Sequence, residues 1–477
     1  MPNPTYRDRY DLPLSAHSAT AVDRYIEGVD RHLSRNGGAR ACFEAAVAAD
    51  PGFALAQAAL ATLGGADGSD PDATETETET GTESGPETRS AVGERLRALA
   101  APASAWERRH VEIVAALLTG HALRATILLR EQLAAVPRDV LALKMAMGLL
   151  EAGGRADWPE RRLALLDGVA AAYGDDWYFL GAYATAHEEA GRLAEARPLA
   201  ERALVGNPRS ADAAHALVHV QYELDEHRAG AAFLEDWLPG YERTAPYHCH
   251  LSWHLALFEL ARGRYARALQ VYERDISPGA MPGHDGRGRL LDAASLLWRC
   301  RLADLEPDAL DWTAICRLAD RWARAGGKGT VAAHGALAYA ADGDGAALGR
   351  LLDHLRQEEA RGAPAVARAV LPLVEGVAAF AAGAYDEAVR LLDPVVDDIV
   401  CIGGSHAQRE VFEDTLLEAC LRAGRFERAE ALVQARLERG PAARLRRTIG
   451  RARSSFGADD DGAILSGRPQ ERAVSMQ

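Results

Sequence analysis

The sequence predicts an all-α chain built from stacked helix hairpins, and three observations carry that expectation. Hydrophobic residues form 48% of the 477-residue chain but aromatic residues only 6%; the alanine-rich remainder suits close helix packing, and Val-, Ile- and Thr-rich runs that would compete as strands are missing. The pattern Gly-x-x-x-x-Ala recurs at Gly120/Ala125, Gly191/Ala196, Gly263/Ala268, Gly383/Ala388 and Gly424/Ala429, with Leu193, Tyr265, Tyr385 or Phe426 two places after four of the glycines. A proline follows the glycine by 17 residues at Pro137, Pro208 and Pro441. In a helix pair the glycine lets the chain turn tightly and the alanine lets the two helices approach. The proline stops the second helix, since it lacks a donor and clashes with the preceding turn.

Along the chain, residues 11–33 pass from an extended Leu12-Pro13-Leu14 through Ser and Thr cap candidates into an amphipathic helix. A helix ending at Pro51 and another directly after it form a hairpin. Residues 64–90 combine Gly, Pro, Ser, Thr and alternating Glu with no apolar side chain larger than Ala, and such a segment cannot bury enough surface to offset its ordering entropy. A disordered acidic insert is expected there. The repeat takes over from Ala91, so the domain organisation expected is a flexible residue 1–10 segment, one continuous helical domain over 11–452, and a flexible tail over 453–477.

Acidic residues outnumber basic ones by 69 to 54, a net charge of -15 that repels phosphate backbones, so nucleic acid is not an expected partner. No apolar run has the length of a bilayer span and the first residues lack a signal-peptide core, so no membrane association and a cytoplasmic location are expected. The six cysteines include no C-x-x-C pair, which argues for reduced, mostly buried thiols. No cofactor is expected.

The Gly, Ala and Pro spacing resembles the tetratricopeptide repeat, a helix pair of about 34 residues. Glycines 71 and 72 residues apart, at 120, 191 and 263, mark about two units each, whereas those at 383 and 424 are 41 apart, so the array is irregular. The resemblance implies a right-handed superhelix with a concave inner face. At whole-chain level the early DLPLS, then HALVH around His215, CHLSWHLALFELARGRY, LLDAASLLWR around Asp292 and above all IVCIGGSHAQREVF around Arg409 resemble, in that order, the tetratricopeptide repeat protein 38 family. That resemblance implies the architecture and no particular reaction.

Two His-x-x-x-His pairs stand out. His215 and His219 share one face of a predicted helix, as do His250 and His254 on a later one. In the repeat register His215 and His219 face the concave surface, while of the second pair only His250 is clearly inward. Three readings are open: packed core histidines, a polar pocket for a small acid or a peptide carboxylate, or a metal site supplied by four nitrogens. Gly403-Gly404-Ser405 followed by Gln408 has the spacing of a capping box, which starts a helix. Arg409 then falls in the first turn, where a cation opposes the helix dipole, and an anionic partner would explain it. With Ser405 and the backbone donors it could hold an internal carboxylate such as Asp292, or a ligand. His334, on another predicted helix, aligns with a histidine of the resembled family.

Other chemistry is excluded. Gly404-Ser405-His406-Ala407 is no nucleophile elbow, because Ala407 stands where Gly is needed and no strand precedes it. The phosphate-loop pattern fails around Lys328, with Trp322 at the first glycine position and Gly329 after the lysine. The expected function is a binding or scaffold role, the concave His-lined face taking a protein or peptide partner or a small anionic ligand. The alternative is an enzyme in which His215, His219, His250 and His254 supply acid/base or metal chemistry and Arg409 holds an anionic group.

Overall fold

The five repeat glycines each close a helix in the left-handed region, with φ of 77°, 73°, 76°, 74° and 71° at 120, 191, 263, 383 and 424, a backbone that side chains bearing Cβ adopt only under strain. Their alanine partners are each at most 2% exposed, which is the close helix approach that the spacing demands. The computed structural model describes residues 6–66, 89–281, 286–305, 312–324, 329–363 and 366–439. Among them the architecture is an all-α array of helix pairs, as the sequence predicts. The two-residue antiparallel pairing of Tyr6–Arg7 with Pro13–Leu14 is the strand content among the described residues. Helices Ala122–Ala135 and Leu193–Gly206 stop two residues before Pro137 and Pro208. Pro441, most of the acidic insert (67–88), Lys328 and the tail lie outside the described residues, and the insert is flanked by helices Ala54–Ala66 and Arg89–Ala100.

The first helices of successive pairs include Val140–Ala152, Trp177–Glu189, Ala211–Glu223, His248–Ala261, Arg287–Leu302, Thr330–Asp342 and His406–Arg422. Apolar side chains form one large buried cluster from Ala211 to Val433 and another from Tyr10 to Ala186. The array closes on itself: the His406 helix reaches back to the Trp177 helix through Arg409 and Glu189, and to the Ala211 helix through His406 and Glu223. Tyr222 also donates to Glu410 across that closure. Trp158, at the start of helix Trp158–Tyr173, donates from its indole to Val400 O at 3.2 Å. No described helix is long and apolar enough to cross a membrane. No disulfide joins the six cysteines, of which five are buried and Cys249 is half-buried.

Candidate functional site: a four-histidine centre

Ser210 accepts from Ala213 N and so starts the Ala211 helix, on which His215 and His219 stand one turn apart. The neighbouring His248 helix carries His250 and His254 at the same spacing. The two pairs meet. His215 Nε2 lies 2.9 Å from His219 Nε2 and 2.9 Å from His250 Nε2, and one nitrogen from each of the four rings lies within 4.8 Å of all the others. His254 belongs to the centre, which corrects the register reading that gave only His250 an inward position. The cause is geometric: side chains four apart stack along one helix face, so the turn that sets His250 against His215 sets His254 against His219, at ring separations of 4.8 and 4.7 Å.

A shell of carboxylates and aromatic rings holds these imidazoles. His250 Nδ1 is 3.0 and 3.2 Å from the two oxygens of Asp292, which is itself buried. His219 Nδ1 is 3.3 Å from Glu188 Oε1, an ion-pair contact whose alignment falls short of a good hydrogen bond. Trp253 stacks on His250 with centroids 5.2 Å apart, and Tyr247 meets His215 edge-on at 5.3 Å. Burial, then the neighbouring His219 and His250, hold His215 well below the usual histidine range; burial followed by the other three histidines does the same to His254. His219 moves the other way. Burial presses its pKa down, yet Glu188, with Glu189 and Glu223 behind it, outweighs burial and leaves it raised.

Proton counting shows what the centre lacks. With its Nδ1 hydrogen-bonded to Asp292, His250 turns Nε2 toward the other rings. His215 Nε2 carries one proton or one lone pair and cannot form a strong hydrogen bond to both nitrogens that crowd it. His254 is fully buried with neither ring nitrogen hydrogen-bonded, and an unpartnered buried polar group costs about 1–3 kcal/mol. A cation among the four nitrogens would resolve both deficits.

The Arg409 loop is built from the chain's own anions. Ser405 caps the His406 helix and forms the expected capping box with Gln408. Arg409 pairs with Glu189 at 3.0 Å and donates to Gly404 O; Asp292, suggested as its partner, is instead engaged by His250. The backbone donors of the helix start go to Glu151, 3.2 Å from Gly404 N, and Glu189, 3.1 Å from His406 N. Glu189 is adjacent to Glu188, so the Arg409 loop and the four histidines form one continuous network. His334 is buried apart from the four, with Nδ1 2.7 Å from Thr330 O and its ring edge-on to Phe412 at 5.2 Å. Burial pushes its pKa down to about 4.

Sequence reasoning missed Glu188, Glu189 and the role of His406. His406 Nδ1 is 2.8 Å from Glu223 Oε1, and although burial acts downward, Glu223 followed by Glu413 and Glu410 lifts its pKa to about 9. A histidine whose folded pKa exceeds its unfolded value of about 6.5 contributes stability that is complete below that value and is lost as pH rises through the folded value. We expect denaturant stability to fall by on the order of 2–3 kcal/mol between pH 6.5 and 9 from this group. The H406Q variant should show a flatter pH profile over that window; an equally steep profile would remove His406 as the cause.

The fold class these elements define is a helical-repeat array, and comparison with known proteins adds the following. No protein-family model matches the chain. Among solved structures it is similar to one described as Naa15/Naa10 bound to HypK-THB, at 14% identity and a TM-score of 0.24, covering 87% of this chain and 57% of that one. It is also similar to the P58(IPK) tetratricopeptide repeat domain, at 14% identity and a TM-score of 0.18, covering 86% of this chain and 99% of that one. The chain thus spans little more than half of the first of these.

Proposed function

We propose that this chain is a cytoplasmic metal-binding helical-repeat protein of the tetratricopeptide repeat protein 38 type, its four-histidine centre taking one divalent transition ion. Imidazole nitrogens suit zinc, copper, nickel and iron, and the absence of sulfur ligands from the set favours no softer ion. The observation that carries this reading is His254, wholly buried with both ring nitrogens unpartnered at the point where three other imidazoles converge. Asp292 and Glu188 supply the outer carboxylates that commonly orient metal-bound histidines. The depressed pKa values of His215 and His254 keep those rings neutral and ready to bind, whereas His219, with its raised pKa, must lose a proton first.

The test is a zinc titration of chelator-stripped protein against a chromophoric competitor. One saturable equivalent is expected, with affinity rising and proton release falling as pH passes upward through the His219 range. Lack of a stoichiometric, saturable site would sink the proposal. The enzyme alternative uses the same centre and is supported by its half-buried edge, where His250 keeps 16% of its side chain exposed.

The scaffold role is a second reading, supported by Leu123 and Ile127, one turn apart on the Ala122 helix and 77% and 51% exposed. A protein partner would cover that apolar pair. If the L123D/I127D double variant kept every protein that co-purifies with the parent, this face would carry no partner.

A further inference from the structure

Access to the four-histidine centre runs past two of its members. His219 and His254 are only 1% and 0% exposed, so an ion arriving from solvent has to pass His215 or His250, the two half-buried rings. Tyr247 stands across that side, meeting His215 edge-on at 5.3 Å and His250 at 5.8 Å. It precedes the first turn of the His248 helix, so its side chain is carried by the connecting segment. Trp253, which stacks on His250, is wholly buried within the helix. Tyr247 is therefore the wall that is able to move.

A turn from the first helix hairpin holds Tyr247 in place. Between helices Ala19–Leu33 and Ala39–Ala49 the chain lays the Arg35 guanidinium 4.8 Å over the Tyr247 ring, and Arg35 Nε donates to Asp212 at 3.2 Å. Ser34 O accepts from Ala211 N at 3.0 Å. Arg35 O accepts from the Tyr241 hydroxyl, whose oxygen in turn accepts from Tyr247 N at 3.4 Å. A Cβ on Gly37 would come within 2.5 Å of Glu242 Oε2, so glycine lets the turn press against the segment that carries Tyr247. Arg35 itself has φ of 57°, in the left-handed region that a long side chain occupies only where its surroundings enforce it, and such outliers gather at clamps and switches. That strain is offset by contacts of the same residue, to Tyr247 and Asp212 through its side chain and to Tyr241 through its carbonyl.

We propose that Arg35 and Tyr247 form the gate of the four-histidine centre. With the guanidinium over the ring, the side toward His215 and His250 is shut; when Arg35 lifts, Tyr247 swings aside and an ion passes. Arg35 is a positioning residue that acts through Tyr247 and supplies no ligand, so it sets how fast the centre loads and empties without setting its affinity. The proposal rests on the metal reading for what passes the gate, while the closure itself stands without it.

The experiment compares full-length parent, R35G and R35K. Glycine suits φ of 57° better than arginine does, so R35G removes the guanidinium without straining the turn. Zinc loading, and zinc removal by excess EDTA, are followed by stopped flow. Both rates are expected to rise about tenfold in R35G with the equilibrium affinity unchanged, and R35K, which keeps a cation for the ring, should stay close to the parent. On chelator-stripped protein, carbethoxylation of His215 and His250 by diethyl pyrocarbonate is mapped by mass spectrometry against His17, whose side chain is 72% exposed. Their rates relative to His17 should rise in R35G as well. Unchanged zinc rates in R35G overturn the gate and leave the metal centre standing; faster removal without faster loading also overturns it, since that is a loosened centre. Protein that binds no zinc refutes the metal centre, and the carbethoxylation rates then decide: faster in R35G upholds the gate, equal rates overturn it.

Discussion

The H254A protein is expected to bind zinc at least 100-fold more weakly than the parent, a loss beyond the roughly 10–100-fold that follows removal of an outer orienting partner such as Asp292. His254 has no other polar role to lose. Both ring nitrogens lack partners among the described residues, and the rings that meet it are those of His215, His219, His250, Trp253 and Tyr222. If the four rings are packing residues, alanine there leaves a cavity and lowers the stability of metal-free protein without touching affinity. If they are ligands, the parent gains thermal stability on adding zinc, about 4 kcal/mol at a thousandfold excess over the dissociation constant, and H254A forfeits that gain. The decisive quantity is the zinc-dependent shift in melting temperature. An equal shift in parent and variant would remove His254 from the site.

The R409M protein is expected to lose about 3–5 kcal/mol of stability, the range for breaking one side of a buried ion pair. Arg409 and Glu189 are 6% and 3% exposed at their side chains, and Arg409 holds the Glu189 carboxyl below its usual range against the opposing pull of burial. Removing the guanidinium strands Glu189 between Glu188 and the histidines. The expected rescue is E189Q on the R409M background, which should recover part of the loss in urea unfolding, because the uncompensated charge disappears. Additive losses in the double variant would show that the pair does not act as a unit.

Arg409 also shows how far the site was readable in advance. A cation in the first turn of a helix opposes the dipole, and that misplacement alone pointed to an anionic partner. The partner carries the mirror signal: Glu188 and Glu189 sit in the last turn of the Trp177 helix, just before Gly191, where acidic side chains are equally disfavoured. Two misplaced charges of opposite sign are a pairing that the sequence could have disclosed. Which carboxylate would reach Arg409 was not legible, because it depends on the array closing through more than two hundred positions of chain.

The histidines divide in the same way. Their i, i+4 spacing fixed which rings share a helix face, and the glycine and alanine pattern fixed the helices themselves. The repeat register misjudged His254, since it counts positions within one helix pair and takes no account of how the Ala211 and His248 helices cross. Asp292 was singled out from the family resemblance, and its role beside His250 follows only from tertiary packing.

The measurement that bears most directly on the four-histidine centre is X-ray absorption spectroscopy of full-length protein purified without chelators, with total metal quantified on the same sample. One ion per chain is predicted, with a first shell of nitrogen at about 2.0–2.1 Å and the outer scattering of imidazole rings if the ion is zinc. Metal-free protein that also refuses added zinc, or a bound ion whose first shell lacks imidazole, would contradict the account.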